Sequence, residues 1–129
     1  MDRAQALADR AADAAVLKLF HHHLYEYGRG VRGLFLMTVS LQQSFPVVAK
    51  LRGDGIDHFV QQVSANKVNV FFGREAFVAV VRSFVTKPLN LLSPEEDFML
   101  GTLLGYDKEQ QCRRFLGKVA VGCCPLAAE

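Results

Sequence analysis

Apolar side chains in the first part of the chain recur at helical spacing. Leu17, Phe20, Leu24 and Tyr27 are separated by three or four residues, so they would form one stripe along an α helix. Gly28 then opens a glycine-rich segment, which favours the end of a helix. We therefore predict a helix that turns one face to a core and ends at these glycines.

The next apolar positions follow strand patterns. Residues 34–39 form an unbroken apolar run, which predicts a strand covered on both faces. Residues 59–63 and 68–72 predict two further strands, and Asn66 between them suits a left-handed turn position. These two strands therefore predict an antiparallel hairpin. Before the hairpin, residues 44–55 predict a short helix that opens at Ser-Phe-Pro and closes at Gly-Asp-Gly.

The helical pattern returns after the third strand. Phe77, Val80, Val81 and Phe84 share one face of a helix and predict a core stripe. Pro88 ends this helix, because proline cannot continue one.

Residues 93–116 specify two more helices and the corner between them. Ser93 is a favourable N-cap with a capping-box glutamate three residues later, and Gly105 suits the left-handed residue that ends the first helix. Asp107 is placed to cap the second helix. The first helix is apolar nearly all round, so we expect it to be largely buried. Gly101 in its middle indicates close packing of backbones.

The order α-β-α-β-β-α-α-α predicts an α+β fold. A small three-stranded sheet with one antiparallel hairpin would be packed by about five helices, and a C-terminal αα-hairpin would end the chain. We expect one domain over residues 1–129, which is an ordinary domain size. Within it, residues 1–15 are an alanine-rich extension expected to fray, and residues 120–129 are expected to form an irregular tail.

Charge and hydropathy narrow the possible partners. A formal net charge of +2 over 129 residues is too small to predict nucleic acid or an anionic membrane as the partner. No apolar run approaches the ~20 residues that span a bilayer, and the N-terminus lacks the apolar core of a signal peptide. We therefore expect a cytoplasmic protein. Its three cysteines lack the spacing of a disulfide framework or a zinc site, so we expect reduced thiols.

Three consecutive histidines, His21 to His23, are the first candidates for chemistry. Consecutive helical residues point in different directions, so the three imidazoles cannot converge on one ion. His21 lies on the apolar stripe, where we predict a packed, hydrogen-bonded side chain. His22 and Glu26 share another face and could form half of a metal site, which His58 would have to complete. Because metal sites usually need three or four ligands, our first prediction is that no metal or other cofactor is bound.

Two further motifs resemble known binding sites but occur in the wrong context. The glycines of residues 28–33 have the G-x-G-x-x-G spacing of dinucleotide sites, yet a helix precedes them and a strand follows, the reverse of the order required. The helices of residues 94–119 resemble a helix-turn-helix, but the acidic run 95–97 would repel a phosphate backbone. No nucleophile stands beside a base in a recognisable motif. We therefore predict neither nucleic-acid binding nor enzymatic activity.

Three sequence blocks carry a resemblance to a known family. They are H-H-L-Y-E-Y-x-x-G-V-R at 22–32, N-V-F-F-G at 69–73 and P-E-E-D-F-x-L-G-x-x-L-G-Y-D-x-x-x-Q-C at 94–112. Through them the chain resembles, over about residues 17–119, the small bacterial family called domain of unknown function twenty twenty-three. The resemblance implies three strands, five helices and a homodimer, and it implies no catalytic residue or cofactor. Some members occur beside flavodoxin genes, which suggests a link to electron transfer or iron limitation.

Together these observations favour a binding or regulatory module. The candidate recognition surface combines the polar face of the last helix with the corner before it: Tyr106, Asp107, Arg113, Arg114 and Lys118. Flavodoxins are usually acidic, so a flavodoxin-like redox protein is the partner expected at this basic surface, beside a second copy of the chain in a homodimer. The alternative is a small-molecule or metal-binding protein that uses the histidine-rich helix.

Overall fold

The computed structural model describes the backbone of residues 2–127 and the side chains of residues 2–121. This part of the chain contains five α helices and three strands in the predicted order, with a short 3-10 helix before the fourth α helix. The helices are α1 (Arg3–Gly28), α2 (Leu41–Gly53), α3 (Glu75–Phe84), α4 (Pro94–Leu103) and α5 (Lys108–Ala127); the strands are β1 (Leu34–Ser40), β2 (Asp57–Gln62) and β3 (Lys67–Gly73); the 3-10 helix is Leu89–Leu91. The predicted α+β class is confirmed.

The chain divides into two compact units, residues 1–78 and 79–129. The first unit contains α1, α2 and the sheet, the second contains α4 and α5, and the boundary falls within α3. The expectation that residues 1–129 act as one domain stays a prediction.

The sheet is antiparallel throughout, with the strand order β1-β3-β2. Phe72 of the central strand β3 lies opposite Phe35 of β1 and His58 of β2, so the predicted hairpin of β2 and β3 is confirmed. Because β3 has a neighbour on each side, residues 68–73 are all buried. The prediction that β1 is covered on both faces is wrong at Thr38, which is exposed on the face of the sheet opposite to Phe35, Met37 and Val39.

One face of the sheet packs on α1 and α2 and forms the core of the first unit. The Phe72 ring stacks on Phe35 with ring centroids 5.2 Å apart and meets Phe20 of α1 edge to face at 5.5 Å. The buried members of this core are Phe20, Phe35, Met37, Val39, Val47, Leu51, Val68, Val70 and Phe72. In β1 and β3 they occupy alternate positions, because successive side chains of a strand point to opposite faces.

The opposite face of the sheet carries a polar row across all three strands. The Thr38 hydroxyl donates to Oδ1 of Asn69 at 2.6 Å, and Nδ2 of Asn69 donates to Oε1 of Gln61 at 3.0 Å. Asn69 is 4% exposed, so the row satisfies a buried amide that would otherwise destabilise the strand.

Gly73 ends β3 where another part of the backbone comes close. Its φ is 152°, a region that favours glycine, and a Cβ at this position would collide with the carbonyl group of Gly33. The Arg74 N–H donates to that same carbonyl at 2.8 Å, which holds the two segments together.

Ser40 is the N-cap of the second helix, which therefore begins before the start predicted at Ser44. The Ser40 hydroxyl accepts from the Gln43 N–H at 3.1 Å, and Oε1 of Gln43 accepts from the Ser40 N–H at 3.0 Å, which completes a capping box. The carbonyl of Asn66 accepts from the Leu41 N–H at 2.8 Å. This bond fixes the backbone of Asn66, and no non-glycine residue in the described part has a positive φ, so the predicted left-handed turn at Asn66 is wrong.

Both ends of the described chain are helical. Helix α1 begins at Arg3, where the Asp2 carboxylate caps its first turn and alanine favours helix; fraying of residues 1–15 stays a prediction. Helix α5 continues to Ala127, since isolated glycines are tolerated inside a helix, so the irregular tail predicted over 120–129 is helical up to residue 127 and its last two residues lie outside the described part. Among the described residues, no helix combines the length and apolar character that crossing a bilayer demands.

The apolar face of α3 is shifted by one residue from the predicted stripe. Val78 and Val81 are buried, but Val80, which was expected in the core, is 39% exposed. The helix is apolar at several neighbouring positions, so its sequence allows more than one stripe and only the packed structure selects one.

Candidate protein-binding surface

Local hydrogen bonds build the α4–α5 hairpin as the sequence predicted. The Ser93 hydroxyl accepts from the Glu96 N–H at 3.1 Å, and Oε1 of Glu96 accepts from the Ser93 N–H at 2.8 Å. The hydrogen bond from the Ser93 N–H is the main cause that holds the pKa of Glu96 below its ordinary value. Nζ of Lys87, 2.9 Å away, is the second cause. At the corner Gly105 has a φ of 80°, and Oδ2 of Asp107 accepts a backbone N–H from the first turn of α5 at 3.0 Å.

The two helices pack closely at Gly101. A Cβ at this position would overlap the side-chain amide of Gln111, which is only 8% exposed. The close packing at Gly101 is against the Gln111 side chain, whereas the sequence predicted close packing of backbones. The prediction that α4 is largely buried is wrong, because Leu100 and Gly101 are buried while Met99 is 42% exposed.

A second link between the helices is ionic. Nε and Nη2 of Arg114 donate to the two carboxylate oxygens of Asp97 at 2.7 Å and 3.2 Å, and Nζ of Lys118 lies 3.5 Å from Oδ1. The hydrogen bond from Arg114 lowers the pKa of Asp97, and the same bond raises the pKa of Arg114. Two of the cations predicted to recognise a partner thus already bind a carboxylate of the same hairpin.

The other predicted recognition residues lie at or near the solvent. Arg113 and Glu109 are both 76% exposed and pair at 3.2 Å along α5, as expected from their spacing. Tyr106 is 50% exposed at the corner, beside the capping residue Asp107. Their role in recognition stays a prediction.

An apolar groove lies between α4 and α5, close to the charged residues just described. It has a volume of about 280 Å³ and is lined by Phe98, Cys112, Phe115 and Leu116. The Phe98 and Phe115 rings meet edge to face with centroids 5.7 Å apart. Leu116 is 64% exposed and Cys112 is an exposed free thiol, whereas the side chains of residues 123 and 124 lie outside the described part.

A second apolar hollow of about 210 Å³ shares Phe98 with the groove. Met99 and Leu103 of α4 and Val80 of α3 also line it. Exposed apolar surface on this side of the hairpin is therefore continuous through Phe98. This surface was not predicted, because the sequence pattern favoured a buried position for these apolar side chains. One feature of the sequence does indicate exposed apolar surface: α4 has more apolar positions than fit into a single buried stripe of a helix.

Replacing Asp97 with asparagine should lower the free energy of unfolding by about 1 kcal/mol at neutral pH, because Arg114 and Lys118 lose their charged acceptor. The pKa of Asp97 lies below 3.8 in the folded protein, so its contribution is full above pH 3.8 and is lost as the pH falls through the folded pKa. Urea unfolding against pH measures both effects. Glu109→Gln, which breaks a more exposed pair, should cost less; an equal loss in both variants would contradict the assignment.

The histidine-rich helix forms a different cluster from the one predicted. His21 is exposed, so its predicted packing is wrong, and His23 takes the packed position with a side chain 13% exposed. Nε2 of His22 and Nδ1 of His23 each lie 3.6 Å from Oε1 of Glu26, and Nη2 of Arg32 donates to the same oxygen at 3.2 Å. An arginine therefore occupies the side of Glu26 that a shared metal would need.

His58 does not complete a metal site with this pair. Its Nδ1 lies 3.2 Å from the Ile56 carbonyl in β2. Within residues 2–121, no three histidine, cysteine, aspartate or glutamate side chains come together in a way that could hold a metal ion.

Comparison with known proteins places the chain in a family without assigning it an activity. No curated protein matches the sequence. Residues 18–118 match the model of a family described as "Protein of unknown function (DUF2023)", and they cover most of the 129 residues. The match spans the last turns of α1 with their histidines, the sheet and most of the α4–α5 hairpin, so the chain belongs to this family.

Proposed function

We propose that this protein is an interaction module that binds an acidic partner protein through the apolar groove of the α4–α5 hairpin. The observation that carries the proposal is the exposure of Leu116, at 64%, beside two aromatic rings in an open groove. Contiguous exposed apolar surface commonly marks a protein–protein contact. Aromatic residues, phenylalanine included, are also enriched at the centre of such contacts.

The charge on α5 supports an acidic partner. Residues 108–121 contain four basic residues and one acidic residue, a net charge of +3 in the helix that supplies three of the four groove-lining residues. The ion pair of Arg113 with Glu109 is exposed at both residues, and pairs of that kind contribute about 0–1 kcal/mol. A partner's carboxylates can therefore replace Glu109 at low cost, and the positive charge of α5 accelerates association at low salt.

A flavodoxin-like redox protein is the partner class that we propose. Its support is the resemblance to a family of which some members occur beside flavodoxin genes, together with the usual acidity of flavodoxins. A cytoplasmic location belongs to the same proposal. In this role the protein regulates or positions its partner and needs no cofactor of its own.

The test is a calorimetric titration at low and at high salt. Purified flavodoxin-like protein is titrated into the wild-type chain and into each of the variants described next. Leu116→Asp should weaken binding by about tenfold or more, because it places a charge in the apolar contact. The matched control is Leu7→Asp on α1, where the replaced leucine is similarly exposed at 57% and binding should not change. Lys108→Glu with Arg113→Glu should remove the salt dependence without touching the Asp97 pair.

A second copy of the chain is the competing occupant of the groove. Light scattering distinguishes the two, because a groove-mediated homodimer should dissociate in Leu116→Asp and persist in Leu7→Asp. Groove-dependent self-association without binding of the acidic protein would show that the partner is another copy. Equal affinities of wild type and Leu116→Asp for the acidic protein would show that the groove is not the binding site.

A further inference from the structure

The outer edge of strand β1 is a surface that the proposed interaction does not use. β1 is an outer strand, because the strand order of the sheet is β1-β3-β2. It pairs with β3 in continuous register, from Leu34 opposite Gly73 to Ser40 opposite Lys67. One side of the β1 backbone is therefore bonded to β3, and the other side faces away from the sheet.

The hydrogen bonds at the two ends of β1 show which of its residues face away. In an antiparallel pair, the backbone groups of every second residue point to the partner strand, and those of the residues between them point outward. The Leu41 N–H donates to the Asn66 carbonyl, and the Arg74 N–H donates to the Gly33 carbonyl, both at 2.8 Å and both in the register of β1 with β3. The odd-numbered residues of β1 therefore face β3, and the even-numbered residues face outward.

Three of these outward residues have a backbone N–H without a partner. The Ser40 N–H is used, because it donates to Oε1 of Gln43 at 3.0 Å in the capping box. For the N–H groups of Leu34, Leu36 and Thr38, no hydrogen bond occurs within the described part of the chain. Such a row of unpaired backbone groups is a template on which another strand can pair.

β1 also lacks the features by which natural proteins block an open edge. Those features are charged side chains, proline and β-bulges. The seven residues of β1, Leu-Phe-Leu-Met-Thr-Val-Ser, include no charged residue and no proline, and their register with β3 is continuous. The other outer strand, β2, begins with Asp57, and three more of its six residues are polar. The edge of β1 therefore fits an uncharged extended segment, whereas the edge of β2 does not.

We propose that a second copy of the chain covers this edge, so that two β1 strands pair antiparallel and two sheets join into one of six strands. The β1 strand of another molecule is uncharged and already extended, so it pays none of the ordering entropy that a disordered segment pays on binding. The three free N–H groups are centred on Leu36. A two-fold axis there places Leu36 opposite its own copy and Leu34 opposite Thr38, so each free N–H meets a carbonyl.

The two-fold pairing closes at two copies. It uses the β1 edge of both molecules, and the polar edge of β2 then lies at each end of the joined sheet. The contact lies in the first unit of the chain and not in the groove of the α4–α5 hairpin. The proposal is therefore independent of the proposed function, and Leu116→Asp should leave this dimer intact.

Amide hydrogen exchange of the wild-type protein tests the pairing, together with light scattering on the same samples. In concentrated protein we expect dimers in which exchange at Leu36 and Thr38 is slowed about tenfold or more relative to monomers, because their N–H groups become hydrogen-bonded. Exchange at Val60 and Gln62, on the other outer strand, should be the same in dimers and monomers. Fast exchange at Leu36 and Thr38 in concentrated protein would overturn the proposal, and this measurement needs no variant.

The matched variants place charges at the proposed two-fold axis. Leu36→Lys should raise the dissociation constant of the dimer about tenfold or more, because like charges directly opposite each other destabilise a strand pair. Leu36→Glu should do the same, and an equimolar mixture of the two variants should form a heterodimer. Val60→Lys, at a 40% exposed position of β2, should leave the dimer unchanged. A dimer that persists in Leu36→Lys, or a mixture of folded variants that stays monomeric, would contradict pairing about Leu36.

Discussion

Replacing Gly73 with alanine should destabilise the protein by about 3 kcal/mol or more. The backbone at Gly73 has a φ of 152°, which an L side chain rarely adopts, and such strain costs of the order of 1–3 kcal/mol. The new Cβ would also overlap the carbonyl of Gly33. Because that obstacle is backbone fixed by a hydrogen bond from the Arg74 N–H, it cannot move aside as a flexible side chain would.

Urea unfolding of Gly73→Ala and Gly53→Ala measures this effect with its control. Gly53 ends α2, where an added Cβ would meet no atom within 4 Å and the φ is not positive, so alanine there should be neutral or stabilising by up to about 1 kcal/mol. Similar stabilities of the two variants would show that β3 and the Gly33 segment do not approach as described. A loss confined to Gly73→Ala agrees with a sheet corner that only glycine can occupy.

Alanine at Gly101 should lower the free energy of unfolding by up to about 2 kcal/mol, although alanine is the better helix former. The helix itself gains about 1 kcal/mol from the substitution. The Cβ, however, would occupy the place of the Gln111 amide, and overpacking of this kind typically costs about 1–3 kcal/mol. Gln111 is buried, so its side chain cannot swing into solvent without separating α4 from α5.

The variant Gln111→Ala shows whether contact with the Gln111 side chain causes the loss of stability in Gly101→Ala. If the steric conflict is the cause, Gly101→Ala should be neutral or stabilising in the Gln111→Ala background, and the double-mutant cycle should show coupling above about 0.5 kcal/mol. Gly117→Ala, at an open position of α5, should be stabilising in both backgrounds. Additive losses at 101 and 111 would contradict direct contact between the two residues.

The helix ends were predictable from the sequence because capping is a local interaction. Ser93 and Glu96 form their reciprocal hydrogen bonds within one turn, and Gly105 and Asp107 follow the same short-range rules. Ser40 obeys them too, but the Ser-x-x-Gln pattern there directly follows a strand, and a later Ser-Phe-Pro segment was preferred. The helix was thus predicted correctly and its start was not.

The candidate site was only partly predictable because exposure is not a local property. Arg113, Arg114 and Lys118 lie on α5 as expected, but the carboxylate of Asp97, which binds two of them, comes from the preceding helix. The cluster of His23, Glu26 and Arg32 likewise depends on a chain reversal that returns Arg32 to α1. Its arginine was visible in the sequence, but nothing local showed that it would approach a histidine nine residues earlier.

Local sequence patterns were sufficient to specify the class of the fold, the order of its elements and most of their ends, because periodicity and capping act over a few residues. The choice among several apolar stripes was made by packing between distant segments. Packing buried Val81 and left Val80 in solvent, and it left Leu116 at the open groove and Met99 at the second hollow. The physical reason is that burial depends on contacts between segments far apart in the chain, and a helix with apolar residues on several faces fits more than one such arrangement.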